Sequence, residues 1–225
     1  MRLHADLGLP AIVDGGALDW VRSPMPGVER RMLERDGDEV ARATSLVRYA
    51  RGSAFSPHVH GAGEEFLVLD GVFSDETGDF PAGFYVRNPP GSRHAPASAT
   101  GTVIFVKLRQ MPPEETQPLR LDTRDAALWK SDGPGVERAT LFDAPWERVE
   151  MLRLARGHRL LRERWPGGVE WFVVEGSIEV DGDVHETGAW LRFPPGATVA
   201  IRAPERALLY CKSGHLARGT RSATT

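Results

Sequence analysis

The sequence predicts an all-β fold in which one module occurs twice along the 225 residues. Short segments rich in β-branched and aromatic residues, such as TSLVRYA, EFLVLDG and TVIFVKL, follow one another along the chain. Glycine, proline or Asp-Gly steps separate them, and this alternation is typical of a sandwich or barrel of short strands. The 24 glycines and 17 prolines also favour turns over long helices.

A repeat with one fixed register indicates the duplication. GSAFSPHVHGAGEEFLVLDG (52–71) aligns with GHRLLRERWPGGVEWFVVEG (157–176), and GFYVRNPPGSRH (83–94) aligns with GAWLRFPPGATV (188–199). The offset is 105 residues in both alignments, and chance resemblance would not keep one register over two separate segments. The predicted domains are therefore residues 1–115 and 116–225, with the polar, proline-rich segment 109–135 as their connection.

Composition excludes several classes of protein. The net charge is −3 with acids and bases mixed along the chain, so no basic footprint for nucleic acid is present. A single cysteine, Cys211, allows neither an intrachain disulfide nor a cysteine-based zinc site. No apolar stretch has the length of a signal peptide core or a membrane span, so a cytoplasmic location without a membrane partner is expected.

Three histidines and one glutamate predict a metal site in the first copy. His58 and His60 are two residues apart, so they project from the same face of an extended segment. The turn HGAGEE can return Glu64 to the same place, and His94 follows the turn PPGSR. Three neutral imidazoles and one carboxylate suit Zn, Fe, Mn, Ni or Cu better than Mg or Ca.

The spacing of these residues resembles the two-part motif of the cupin superfamily. The matching residues are Gly52, His58, His60, Glu64 and Gly71, then Gly83, Pro89, Gly91 and His94. The segments around them, including ERRMLERDGDEVARATSLVRYARGS, look like the ChrR-type cupin module. The resemblance implies two tandem cupin (double-stranded β-helix, or jelly-roll) barrels. It also implies one divalent transition metal on His58, His60, Glu64 and His94, with Zn or Fe ahead of Mn or Ni.

The second copy has lost the ligand residues. The positions of His58, His60, Glu64 and His94 hold Glu163, Trp165, Val169 and Val199. Trp165 and Val199 are predicted to fill a metal-free barrel, because a vacated site would otherwise leave a costly cavity. Glu163 is predicted to pair with an arginine or to face solvent.

Other polar residues are retained in both copies. Arg87 and Glu65 have the counterparts Arg192 and Glu170. Because the arginine persists where the metal ligands do not, a structural ion pair or a role on the strand surface is favoured over an anchor for an acidic substrate. The remaining histidines are predicted to be solvated; they are His4, His158, His185 and His215.

The resemblance leaves three functions open. The first is an oxygen-dependent dioxygenase that cleaves a diketone or aryl ketone. The second is a zinc-binding sensor like the cupin domain of an anti-sigma factor, and the third is a non-catalytic binding protein. A small-molecule ligand and a homodimer are the expected partners. A sigma factor is not, because the family's cysteine- and histidine-bearing sigma-binding segment is not found before the first module. No catalytic residue, nucleotide fingerprint or further cofactor site can be named.

Overall fold

The structure is a computed structural model. It describes residues 1–219, except the side chains of 161–163, 218 and 219. The strands up to residue 108 are β1 (Arg2–Leu3), β2 (Ala11–Asp14), β3 (Val21–Arg22), β4 (Val28–Asp36), β5 (Arg42–Tyr49), β6 (Ser53–Ala54), β7 (His58–Val59), β8 (Glu64–Asp75), β9 (Gly78–Pro81), β10 (Phe84–Asn88), β11 (Arg93–His94), β12 (Ala97–Ser98) and β13 (Thr102–Leu108). The later strands are β14 (Leu119–Asp122), β15 (Trp129–Ser131), β16 (Val136–Ala144), β17 (Glu147–Leu154), β18 (Arg159–Trp165), β19 (Val169–Glu175), β20 (Ser177–Val180), β21 (Asp183–Glu186), β22 (Ala189–Phe193), β23 (Ala197–Arg202) and β24 (Ala207–Ser213).

Helical structure among the described residues is limited to two short turns. Ala126–Leu128 form a 3-10 turn, and α1 (Leu216–Gly219) is a single helical turn. No helix in the described part of the chain is long and apolar enough to span a membrane. The prediction of an all-β protein is confirmed.

The first unit comprises Met1–Ala5 and Leu18–Arg124. Its main antiparallel sheet has the order β1-β4-β5-β13-β8-β10-β14. The long strand β8 pairs with β10 and β13 through its first half and with β9 and β12 through its second half. Because one strand serves both faces, the sheet folds over a core that contains Phe66, Phe73 and Phe80.

The second unit comprises Asp6–Ala17 and Asp125–Thr225. Its larger sheet has the order β15-β16-β17-β24-β19-β22-β2, and a second sheet has the order β18-β23-β20-β21. The strand order of the larger sheet repeats that of the first unit position by position. The duplication seen in the sequence is therefore a duplication of topology.

The units differ from the predicted boundary between 115 and 116 in two segments. Strand β2, near the N-terminus, belongs to the second unit because it pairs with β22. Strand β14, within the segment predicted as a connection, belongs to the first unit because it pairs with β10. Both strands cover the edge of a sheet whose N–H and C=O groups would otherwise lack partners.

The glycine that closes the motif is required in both units for the same steric reason. Gly71 has φ +70° and Gly176 has φ +74°. A Cβ atom on Gly71 would lie 2.0 Å from the carbonyl oxygen of Gly101, and one on Gly176 would lie 2.0 Å from that of Arg206. The repeat therefore extends to the left-handed backbone conformation of the glycine within β8 and of its counterpart between β19 and β20.

Candidate metal centre

Two short strands bring the first and last histidines of the motif together. Strands β7 and β11 pair antiparallel, with His58 directly opposite His94. The ribbon continues past the strands, since the amide of His60 donates to the carbonyl of Ser92 at 2.9 Å. A turn closes it, in which the amide of Ser92 donates to the carbonyl of Pro89 at 3.0 Å. His60 therefore lies on the same face as His58, as the i, i+2 spacing predicts.

A tight turn returns Glu64 to this ribbon. The amide of Gly63 donates to the carbonyl of His60 at 3.4 Å, and the amide of Arg109 donates to the carbonyl of Gly63 at 2.9 Å. Gly63 has φ +77°, and a Cβ atom there would lie 2.4 Å from the sulfur of Met111. Only glycine fits this position. Glu64 follows directly as the first residue of β8.

The four predicted ligands form one cluster. Their donor atoms all lie within 4.8 Å of one another. Oε2 of Glu64 is 3.6 Å from Nε2 of His60 and 3.5 Å from Nε2 of His94. His60, Glu64 and His94 are buried, whereas His58 is exposed. The cluster is thus open to solvent on the side of His58.

Two of the imidazole nitrogens in the cluster lack hydrogen-bond partners. Nε2 of His60 and Nε2 of His94 are buried and form no hydrogen bond. A buried polar atom without a partner costs about 1–3 kcal/mol. A metal about 2.1 Å from each donor would place neighbouring donors about 3.0–3.4 Å apart. The distances of 3.5 and 3.6 Å to Glu64 are close to this range, so the residues fit a metal ion.

The electrostatics of the cluster favour the neutral form of one ligand. Burial lowers the pKa of His60, and the neighbouring rings of His94 and His58 lower it further, against the opposing effect of Glu64. A neutral imidazole is the form that binds a metal. His60 is therefore ready to act as a ligand at neutral pH.

A buried carboxylate contacts the outer nitrogen of His94. Oδ2 of Asp75 lies 3.3 Å from Nδ1 of His94, and the side chain of Asp75 is fully buried. Burial alone would raise the pKa of Asp75, but hydrogen bonds from His94 and Thr77 lower it to about 2. Asp75 is thus ionised at neutral pH. No sequence motif marks Asp75, although the offset of 105 residues pairs it with the apolar Val180.

A second polar chain reaches Glu64. Asn88 lies opposite Glu64 in the pairing of β10 with β8, and its Nδ2 donates to Oε2 of Glu64 at 3.1 Å. Nη2 of Arg120 in turn donates to Oδ1 of Asn88 at 2.7 Å. Arg120 was not predicted because it lies on β14, within the segment read as a connection.

Aromatic rings lie next to the cluster on the inside of the barrel. The ring of Phe73 is 5.6 Å from that of His94, and Phe66 and Tyr49 are 4.5 and 5.9 Å from Phe73. Phe55 is 5.3 Å from Tyr49. The polar ligands therefore face an apolar, aromatic interior.

The corresponding place in the second unit is filled by apolar side chains. Val169 and Val199 are buried in its core, and Trp165 packs against the same core with its ring 5.9 Å from that of Trp171. The prediction that Trp165 and Val199 fill this barrel is confirmed. Among the residues with described side chains, the second unit has no group of three or more potential ligands. The side chain of Glu163 lies outside the described residues.

The retained arginine is part of a buried ion network. Nη1 of Arg87 lies 2.7 Å from Oε2 of Glu65, and Nη2 lies 2.6 Å from Oε2 of Glu115. The hydroxyl of Tyr85 donates to Oε2 of Glu65 at 2.5 Å. The arginine is fully buried, so the prediction of a structural ion pair is confirmed.

The prediction that the remaining histidines are solvated is wrong for His215. Its side chain is 3% exposed, and its Nε2 lies 3.2 Å from Oε2 of Glu170. The residue follows the end of β24, where the amide of Leu216 donates to the carbonyl of Gly167 and holds the segment against the sheet. The polar sequence around His215 gave no sign of this packing.

Fold and site together define a protein of two cupin barrels, of which the first carries a candidate metal site of three histidines and one glutamate. The chain belongs to the family of the ChrR cupin-like domain, whose model matches residues 10–112 and again 116–217. Both copies are thus recognised, including the one without ligands. Among curated proteins, none matches the chain.

Solved two-barrel proteins share the fold at low sequence identity. A protein from Nostoc punctiforme proposed to be a dioxygenase is 15% identical, with a TM-score of 0.75 over 93% of this chain and 84% of that one. The pirin YhhW from Escherichia coli in complex with nickel(II) is 13% identical, with a TM-score of 0.67 over 91% and 98%. Salicylate 1,2-dioxygenase from Pseudoaminobacter salicylatoxidans is 14% identical, with a TM-score of 0.65 over 99% and 85%. At these identities the likeness extends to the fold alone.

Proposed function

We propose that the protein is a metal-dependent enzyme that cleaves a small oxygenated substrate, a diketone or an aryl ketone, with dioxygen. One divalent transition metal, iron in this proposal, is held by His58, His60, Glu64 and His94. The observation that carries the metal is the pair of buried imidazole nitrogens without hydrogen-bond partners beside a buried carboxylate. In the overall reaction one oxygen atom enters each of the two products of carbon–carbon bond cleavage.

The charge of the donor set favours an anionic oxygen ligand. Three neutral imidazoles and one carboxylate contribute one negative charge, so a divalent ion at the site leaves a net charge of +1. The enolate of a diketone or the anion of a hydroxylated aryl ketone would neutralise this charge. Four protein ligands leave up to two positions of a six-coordinate ion for such a ligand. The bound metal supplies Lewis acidity and a template for the substrate and dioxygen.

The surroundings of the site favour an organic substrate with an apolar part. The ring of Phe73 lies 5.6 Å from that of His94, and the rings of Phe66, Tyr49 and Phe55 continue this aromatic cluster inside the barrel. Apolar and aromatic side chains around a few polar groups are typical of small-molecule sites. The exposed position of His58 leaves the site accessible from solvent.

A zinc-binding sensor or binding protein is the second candidate. Four protein donors complete the tetrahedral shell that zinc adopts in closed, non-catalytic sites. The cluster offers four such donors within 4.8 Å of one another, which fits this use. Zinc held by all four ligands would have no position for a substrate.

Metal analysis and oxygen uptake distinguish the two candidates. Protein purified without added metal is analysed for metals and then tested for oxygen consumption with β-diketones and hydroxylated aryl ketones. Iron together with substrate-dependent uptake supports the enzyme. Tightly bound zinc without uptake, also after replacement by iron, supports the sensor. The His94→Ala variant serves as the control for uptake that does not depend on the site.

We expect acid to release the metal. A protonated imidazole cannot bind a metal, and the reference pKa of histidine is about 6.5. Because the pKa of His60 is lowered, its protonation in the free site requires a lower pH, and release is expected below about pH 6. Acid also destabilises the metal-free fold, because the unfolded chain takes up this proton at a higher pH than the folded chain does.

Dialysis over a series of pH values followed by elemental analysis measures this release. Occupancy should be complete at neutral pH and fall steeply in mild acid. Full occupancy after dialysis at about pH 4 would contradict ligation by three histidines.

A further inference from the structure

Polar side chains outside the candidate ligand set contact the ligands His94 and Glu64. Asp75 contacts the outer nitrogen of His94 at 3.3 Å. Asn88 contacts Glu64 at 3.1 Å and is itself contacted by Arg120 at 2.7 Å. Asp75 lies on β8, whereas Asn88 lies on β10 and Arg120 on β14.

The contact with Asp75 determines which nitrogen of His94 is available. An ionised carboxylate only accepts hydrogen bonds, so Nδ1 of His94 must carry the proton and donate it to Asp75. Nε2 is then the nitrogen with the free lone pair. This nitrogen faces Oε2 of Glu64 at 3.5 Å inside the cluster. Asp75 thus sets both the tautomer and the ring orientation that ligation needs.

The chain through Asn88 determines the position of Glu64 in the same way. Arginine only donates hydrogen bonds and a carboxylate only accepts them. The amide of Asn88 therefore has one possible orientation, with its oxygen on Arg120 and its NH₂ group on Glu64. Arg120 also donates to the carbonyls of Arg87 and Leu119, both at 2.9 Å, so its guanidinium is fixed from the strand side.

The second unit provides an internal control for this arrangement. The counterparts of Asp75 and Asn88, 105 residues later, are Val180 and Phe193. Arg120 lies opposite Val86 on β10, and the residue in the same register on β22, opposite Leu191, is Ile12. All three polar groups are thus replaced by apolar ones in the barrel that has also lost the ligands.

Residues that support the barrel itself behave differently. Glu65, Arg87 and Lys107 are matched by Glu170, Arg192 and Lys212, and all six are buried. These buried polar residues are therefore kept in both units, whereas Asp75, Asn88 and Arg120 occur only with the ligands.

We infer that Asp75, Asn88 and Arg120 are positioning residues of the metal site: Asp75 orients His94, and Arg120 orients Glu64 through Asn88. The inference rests on the proposed metal site and extends it to residues outside the ligand set. Groups that orient ligands in this way typically contribute about 10–100-fold to metal affinity.

The test compares isosteric variants with matched controls. Asp75→Asn removes the charge that accepts from His94, and Arg120→Gln removes the donor to Asn88. Asp79→Asn is the control for the first, since Asp79 lies on the same hairpin and accepts from Ser74 at an exposed position. Arg124→Gln is the control for the second, since its exposed guanidinium pairs with Asp122 just after the same strand.

Affinity for cobalt(II) is measured by competition with a chelator, and the visible spectrum of the cobalt-loaded protein reports the ligand geometry. Asp75→Asn and Arg120→Gln should each weaken binding roughly 10–100-fold and alter the spectrum, while both controls keep the wild-type values. Circular dichroism and the unfolding midpoint of the metal-free proteins separate this effect from misfolding. Because the two variants act on different ligands, the failure of one to fold leaves the other as a test.

Two results would overturn the inference, and they are distinguishable. Wild-type affinity and spectrum in both folded variants would show that the contacts do not position the ligands, although the metal site itself stands. Absence of cobalt binding in the wild type would remove the metal site, and this inference with it.

Discussion

Replacement of His60 or His94 by alanine is expected to remove most of the bound metal, which is proposed to be one ion per chain. Each variant deletes one of four donors that lie within 4.8 Å of one another. Loss of a direct ligand should cost more than the roughly 10–100-fold expected for loss of a group that only orients one. Elemental analysis of wild type and variants at matched purity measures the effect.

The second copy supplies the control for this prediction. Glu163 occupies the position of His58, and its neighbours in the aligned set are Trp165, Val169 and Val199. A single carboxylate cannot hold a transition metal with useful affinity, so Glu163→Ala should leave the metal in place. Two metals per chain, or loss of metal in Glu163→Ala alone, would show that the assignment of the metal to the first barrel only is wrong.

A double variant separates metal loss from loss of fold. His94→Ala leaves a cavity beside Phe73 and leaves Asp75 without its imidazole partner. The second unit has valine at both matching positions, Val180 and Val199, inside a packed core. The variant Asp75→Val/His94→Val copies this pair and should fold without binding metal. A double variant that fails to fold would indicate that the metal also supports the first barrel.

The candidate site could be predicted from the sequence because the residues that encode it are close together along the chain. His58 and His60 are related by the two-residue period of a strand, and the turns before Glu64 and His94 are encoded by glycines and prolines next to them. The repeat added a comparison within the chain, which identified the barrel without ligands. These features require no knowledge of how distant segments pack.

The features that could not be predicted depend on pairing between distant segments. Strand β2 lies near the N-terminus but completes the sheet of the second unit, and β14 follows a proline-rich stretch yet completes that of the first. Tertiary packing determines which segment becomes the edge strand of each sheet. The hydrophobic patterns of the segments that form β2 and β14 do not record this choice. Arg120 was missed for this reason, since only the pairing of β14 with β10 brings it to Asn88.

Replacement of Arg87 by methionine is expected to destabilise the protein strongly. Arg87 forms two hydrogen bonds to Glu115, both of 2.6 Å, and one of 2.7 Å to Glu65, with all three side chains buried. Methionine keeps most of the side-chain volume but leaves two buried carboxylates without this cation. Removal of one partner from a buried ion pair costs about 3–5 kcal/mol, and a shift of this size is measurable by urea unfolding.

The metal content of the folded Arg87→Met protein should be unchanged. Glu65 follows the ligand Glu64 on β8, but successive residues of a strand point to opposite faces, so the ion network and the metal cluster lie on opposite sides of the sheet. Arg51→Met, at an exposed turn of the same unit, is the control and should change stability by no more than about 0.5 kcal/mol. If Arg87 instead anchored an acidic substrate, the variant would keep its stability and lose binding. The two carboxylates already hydrogen-bonded to the buried guanidinium argue for the structural role.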